Sequence, residues 1–228
     1  HLTTNAEVYM KYYGQLFAVN HNKMFDRNDM AYQPGGVYAK ELYYLTDFMV
    51  EQGLAYGLDM SLCYDIERLY LWLTYSLAHV TRTDEVQTYA PHYDRRHTIN
   101  LLATYTIGSQ KDWEVSARWT YGSGFPYTQT QGIYELWAPA TIADSYTQSN
   151  GQYGILYADI YQGRLPAYHR LDIGVKRKIS IGARSLLELS AGVTNLYNRD
   201  NLFYFDRISL SRVDQLPFLW TAGAKFSF

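Results

Sequence analysis

The most chemical-looking run in the chain is His92, Tyr93, Asp94, Arg95, Arg96 and His97, which sets two imidazoles, a carboxylate and two guanidinium groups within six residues. A carboxylate beside an imidazole can hold a metal or relay a proton. The spacing matches none of the usual ligand patterns, and a loop running into a strand would set Asp94 against an arginine as an ion pair, so the run is expected to be structural. Tyr121 to Tyr127 (YGSGFPY) carries the glycines of a phosphate cradle. Pro126 and the lack of a following helical pattern remove the helix N-terminus such a cradle uses, and a turn into a loop is expected. Rings accumulate between Gly124 and Ala167, where Arg164 is the only cation. Tyrosine and tryptophan offer large contact area at little entropic cost, so ligand or partner contacts are expected at Tyr127, Tyr134, Trp137, Tyr146 and Tyr153; rings packing only on one another is the competing reading. The polar stretch His21 to Gly53 is a second candidate contact loop. No serine, histidine and acid stand at triad spacing, so no enzyme and no cofactor are expected. Cys63 is the single cysteine, which leaves no disulfide framework and no metal-ligand spacing.

Those residues must be positioned by strands. Alternation is strict from Trp113 to Gly122 and from Leu54 to Tyr64, one face apolar and the other small or polar. The same period appears in Ala6, Val8, Met10, Tyr12, Leu16 and Ala18, around Leu69 to Leu77, Ile99 to Ile107, Leu171 to Ile181, Leu187 to Val193, and Trp220 to Phe228. Eight strands are expected. Their connections alternate long (21–53, 83–94, 124–167, 198–217) and short (65–67, 108–112, 182–183), and all six prolines fall in the long ones, where no ladder needs their missing N–H.

The chain has 228 residues, 47% hydrophobic and 18% charged, a net charge of -2 and 24 tyrosines against 9 phenylalanines. There is no clustered basic run for nucleic acid. A soluble sandwich would show the same alternation. Strands of about 10 residues or more, segregated loops, and rings at the strand ends favour a transmembrane antiparallel β-barrel. The apolar stripes would then face lipid. The opposite face would form a wet wall bearing Glu7, Lys11, Asp59, Glu114, Arg118, Arg170, Asp172, Lys176, Glu188 and Lys225, with Tyr9, Tyr13, Phe17 and Trp72 among them.

Five stretches together resemble the barrel of a TonB-dependent outer-membrane receptor of the Bacteroidetes type: PHYDRRHTINL from Pro91, RWTYGSGFPYT from Arg118, GRLPAYHRLDIGV from Gly163, GVTNLYNRDNLFYFDR from Gly192, and KFSF ending at Phe228. The resemblance implies an all-β fold in which residues 1–228 are the C-terminal part of the barrel domain, the last eight strands of a 22-stranded plugged barrel. It implies a chain lying in the outer membrane of a Gram-negative bacterium, with lipid around it and the TonB complex acting through an N-terminal part not in this sequence. A surface lipoprotein or other outer-membrane subunit is a further expected partner. Phe226 and Phe228 would be read by the barrel-assembly machinery. Active import of a siderophore, oligosaccharide or peptide is the implied function; a non-transporting receptor-like barrel that docks in a larger assembly is the alternative.

Overall fold

A computed structural model describes residues 1–21, 47–84, 87–135, 153–182, 185–207 and 209–228. All regular structure in them is β. The long strands are β1 (Leu2–Val19), β2 (Phe48–Ile66), β3 (Leu69–Thr83), β5 (His97–Ile107), β6 (Trp113–Gly122), β11 (Tyr168–Ile181), β12 (Ser185–Thr194) and β15 (Leu219–Ser227). Short strands sit between them: β4 (Thr88–Tyr89), β7 (Pro126–Tyr127), β8 (Thr130–Glu135), β9 (Tyr153–Tyr157), β10 (Gly163–Arg164), β13 (Leu202–Asp206) and β14 (Ser211–Asp214).

The eight long strands pair in chain order, each antiparallel to the next, as one meander β1-β2-β3-β5-β6-β11-β12-β15. All eight expected strands are present. β1 begins at Leu2, ahead of the stripe that opens at Ala6, and β2 begins at Phe48, so the first long connection is shorter than expected. The short turns lie at one end, with Gly108 in the left-handed region (φ 96°) accepting from Lys111 N–H across the β5–β6 turn. Both chain ends lie there too, since His1 exchanges backbone hydrogen bonds with Asp65. The long connections gather at the opposite end.

The register puts the apolar stripes on one face continuously: Leu62 opposes Leu73, which opposes Leu101, which opposes Trp119, which opposes Leu171. The other face carries every charge expected of it, with Lys176 Nζ 3.5 Å from Glu114 and Arg170 Nη2 2.9 Å from Asp172. Glu7 and Asp59 face each other directly, a like-charge opposition that works against the β1–β2 pair.

One expectation is overturned. The register of β1 against β2 shifts by one between Tyr13 and Leu16, so Leu16 opposes Glu51 and Phe17 opposes Val50. A bulge inserts one residue and reverses every later side chain. Leu16 and Ala18 therefore join the polar face and Phe17 joins the apolar one, 84% exposed. The position of Leu16 is evident from Gly53, whose ideal Cβ would lie 2.7 Å from Leu16 Cδ1.

Among the described residues the buried hydrophobic side chains are Met49, Tyr89 and Ile160. A single sheet has no second layer to close a core, so both faces of the wall stay open.

Candidate functional site

The buried residues collect where the long connections leave the strands, and apart from glycines and prolines most of those described are polar: Asn20, Glu51, Asp84, Asp94, Thr128, Asn195 and Asn201. Glu51 stands on the polar face of β2. Its carboxylate is fully covered and accepts from Arg82 Nη1 at 3.1 Å and from the Tyr89 hydroxyl at 2.6 Å. Arg82 Nε in turn donates to the Tyr93 hydroxyl at 3.0 Å. The Tyr89 ring reaches Glu51 because β4 folds back on the end of β3, pairing Tyr89 with Arg82. Burial first, then the hydrogen bond to Glu51, hold the Tyr89 phenol well above its ordinary pKa, so it remains a donor.

Around Tyr89 the rings of His21, Tyr161 and His92 form a chain with centroids 5.7 to 6.0 Å apart. Tyr161 is held at a left-handed φ of 53°, with its N–H donating to Thr128 Oγ1 at 3.1 Å. Burial pushes the His21 imidazole below the usual histidine value despite the attraction of Glu51.

Asp94, 0% exposed, is the second anchor. It accepts from Val80 N–H (3.0 Å), Arg96 Nη2 (3.2 Å) and Arg164 Nη2 (2.7 Å), while Arg164 Nη1 donates to the backbone oxygens of Asp94 and Gly124. This one carboxylate ties β3 to the loop before β5 and to β10, 70 residues further along. The expected ion pair is present, and the run from His92 to His97 is dispersed: His92 turns to Tyr161, Asp94 to the arginines, and His97 to Tyr75 on the apolar face. No group of three metal-ligating side chains occurs among the described residues. The YGSGFPY run leads into a turn and the two-residue ladder β7–β10. Gly124 is required there, because a Cβ would sit 1.6 Å from the Leu165 carbonyl oxygen. Arg95 covers the Phe125 ring at 4.1 Å from its centroid.

The proposed contact residues do not form one cluster. Tyr127, on β7, lines a cavity of about 320 Å³ between its own loop and the β13–β14 hairpin, together with Leu165, Phe203, Phe205 and Arg207. Tyr134 is 52% exposed on β8, and its ring lies over Gly154 of β9. Tyr153 opens β9 opposite Glu135, its side chain outside the described atoms; Trp137 and Tyr146 lie outside the described residues. Phe226 opposes Leu187 on the apolar face of β15, and the Phe228 ring, 98% exposed, lies 6.1 Å from it.

Sequence reasoning missed the residues that organise this end. Asn195, with no exposed surface, donates through Nδ2 to the carbonyls of Arg199 and Leu216 and accepts from Arg199 N–H. Asn201 pairs both backbone groups of His169, standing in for a strand neighbour. The three asparagines inside GVTNLYNRDN, between an apolar strand and a ring-rich hairpin, are the available signal.

The fold is all-β, an antiparallel sheet similar to part of the barrel of an outer-membrane receptor of known structure. The solved structure that carries the comparison is the ferripyoverdine receptor of the outer membrane of Pseudomonas aeruginosa bound to ferripyoverdine, with a TM-score of 0.58 and 10% identity. The match covers 99% of this chain and 25% of that one, so the chain spans a quarter of that receptor's length. No family model matches the sequence, and no curated protein does.

Proposed function

We propose that this chain is the C-terminal part of the barrel of a TonB-dependent receptor, seated in the outer membrane of a Gram-negative bacterium and serving active import. The observation that carries the reading is the division of the sheet: through the middle of eight consecutive strands one face is apolar and the other charged, with no layer covering either among the described residues. Lipid suits the first face, and a wet lumen suits the second. The terminal strands strengthen it. Among the described residues β1 pairs with β2 alone and β15 with β12 alone, so each leaves one row of backbone groups that a membrane requires to be paired, which further wall of a larger barrel would supply.

In this reading the long connections face outward and Tyr127, Tyr134, Trp137, Tyr146 and Tyr153 meet the ligand, while Phe226 and Phe228 serve assembly. Energy coupling belongs to a plug and TonB-binding segment outside this chain, and a surface lipoprotein fits over the same loops. The ligand is a siderophore, oligosaccharide or peptide. The test is uptake by cells carrying the full-length protein, measured for labelled members of those three classes with and without a working TonB complex. Uptake of one class that disappears without TonB, and again on deletion of 131–151, is the expected result. Absence of any energised uptake would replace import by a docking role in a larger outer-membrane assembly.

A further inference from the structure

The apolar face has a charge pattern that import does not require. Across its eight strands the residues on that face include no Asp or Glu, and its ionisable groups are His79, His97 and His169 towards the long-loop end and Arg177 towards the short turns. Arg177 lies over Trp113 at 4.9 Å from the ring centroid. Each histidine is matched with a tyrosine from a neighbouring segment of the sheet. The His79 ring stacks on Tyr56 at 4.8 Å and 19°; the Tyr75 hydroxyl is 3.0 Å from His97 Nδ1; the Tyr197 hydroxyl is 2.7 Å from His169 Nδ1.

A phenol that donates into Nδ1 fixes the imidazole proton on Nε2 and turns that N–H into a donor aimed away from the pair. At His79 the Nδ1 atom is buried with no hydrogen-bond partner, where a proton would be stranded, so the same tautomer is favoured. With the phenols donating at His97 and His169, the three imidazoles make a row of Nε2 donors from β3 to β11, at the level where the strands meet the long connections. The face itself offers them no carboxylate. A permanent positive charge joins the third pair: Arg199, two residues beyond Tyr197, donates to the Ala167 carbonyl, two residues before His169, at 3.2 Å.

We propose that these three Tyr–His pairs bind the phosphate groups of lipid headgroups in the outer leaflet, a binding role for the outside of the barrel that rests on the membrane reading above. Phosphate is the fitting acceptor because it brings several unshared oxygens and negative charge to a face that, at this level, has histidine donors and no Asp or Glu. Two of the three tyrosine hydroxyls hold the imidazoles in orientation, and the tyrosine rings keep to the apolar layer.

The test uses the full-length protein purified in a neutral detergent and titrated with bis-phosphorylated lipid A or with the same lipid after enzymatic removal of its phosphates. Lipid retention is read by native mass spectrometry and stability by the thermal midpoint. The phosphorylated form is expected to bind at least tenfold more tightly, and the triple variant His79→Leu, His97→Leu, His169→Leu to lose most of that preference. Tyr75→Phe with Tyr197→Phe is expected to weaken it about threefold, and this pair of variants leaves the apolar surface intact should the triple variant fold poorly. Equal binding of the two lipids, or a preference undiminished in both sets of variants, would overturn the proposal. Insertion into bilayers, read by protection from protease, separates the two claims: insertion without phosphate preference removes the lipid site alone, and failure to insert removes the membrane reading with it.

Discussion

The middle of the wall and its long-loop end are built on opposite principles. Between the short turns and the loops the strands present two open faces, held to each other by ladder hydrogen bonds and cross-strand pairs. At the loop end Glu51, Asp94, Asn195 and Asn201 are each buried and each hydrogen-bonded to at least two partners. The wall takes its apolar stabilisation from whatever covers it. The loop end is stabilised from within, by charge-assisted bonds that join segments as much as 77 residues apart, as from Arg207 to Thr130 Oγ1.

The largest effect is expected from breaking the loop-end network at a fully covered charge. Glu51→Ala leaves Arg82, whose side chain is 20% exposed, without its carboxylate, and leaves the Tyr89 hydroxyl without an acceptor. Loss of one member of a buried pair costs about 3–5 kcal/mol. Protease nicking of the β3–β5 connection in folded protein should rise steeply, while the strands stay protected. Nicking no faster than in the wild type would mean that the end is held by the rings and that Glu51 is dispensable.

The wall should answer to position on its faces and to nothing else. Leu73 and Thr74 are neighbours in the interior of β3 on opposite faces. Leu73→Arg is expected to cost about 2–4 kcal/mol, the range for a cation at the bilayer midplane, and Thr74→Arg close to nothing. Denaturant titration of the barrel reconstituted in vesicles measures both. Equal costs would erase the distinction between the faces and with it the contrast between wall and loop end.

The same contrast decides what could be read from sequence. The wall was legible because a two-residue period is local: Trp113 to Gly122 shows its two faces without reference to any other strand. The bulge in β1 was not, since nothing in Tyr13, Gly14, Gln15 and Leu16 states which residue goes unpaired until β2 lies beside them, and Phe17 was set on the wrong face for that reason. Short ladders such as β7–β10 and β3–β4 have two residue pairs each, too few to show a period. The loop-end anchors failed differently. Asp94 was recognised as a partner for an arginine in its own run, and Arg96 is one, but the shorter bond comes from Arg164, which no local pattern points to. Glu51 reads as part of the 21–53 connection, because Gln52 breaks the apolar stripe of Leu54 to Tyr64 on its N-terminal side.

The smallest expected effect is a pH dependence confined to the loop end, carried by His21. Its folded pKa is lowered, mainly because burial among Tyr89, Tyr161 and His92 disfavours the imidazolium, while Glu51 and Asp84 pull the other way. When the segment detaches, the imidazole regains the ordinary value of about 6.5 and binds a proton more readily than in the closed form. The open form therefore takes up the extra proton: the contribution is complete above pH 6.5 and is lost as pH falls through the window below it. Amide hydrogen exchange at Asn20 and Tyr161, corrected for intrinsic rates, should speed up between pH 7.5 and 5.5, with amides in the middle of β6 and β11 unchanged. His21→Gln should flatten that dependence. If it does not, the pH sensitivity of this end does not come from His21.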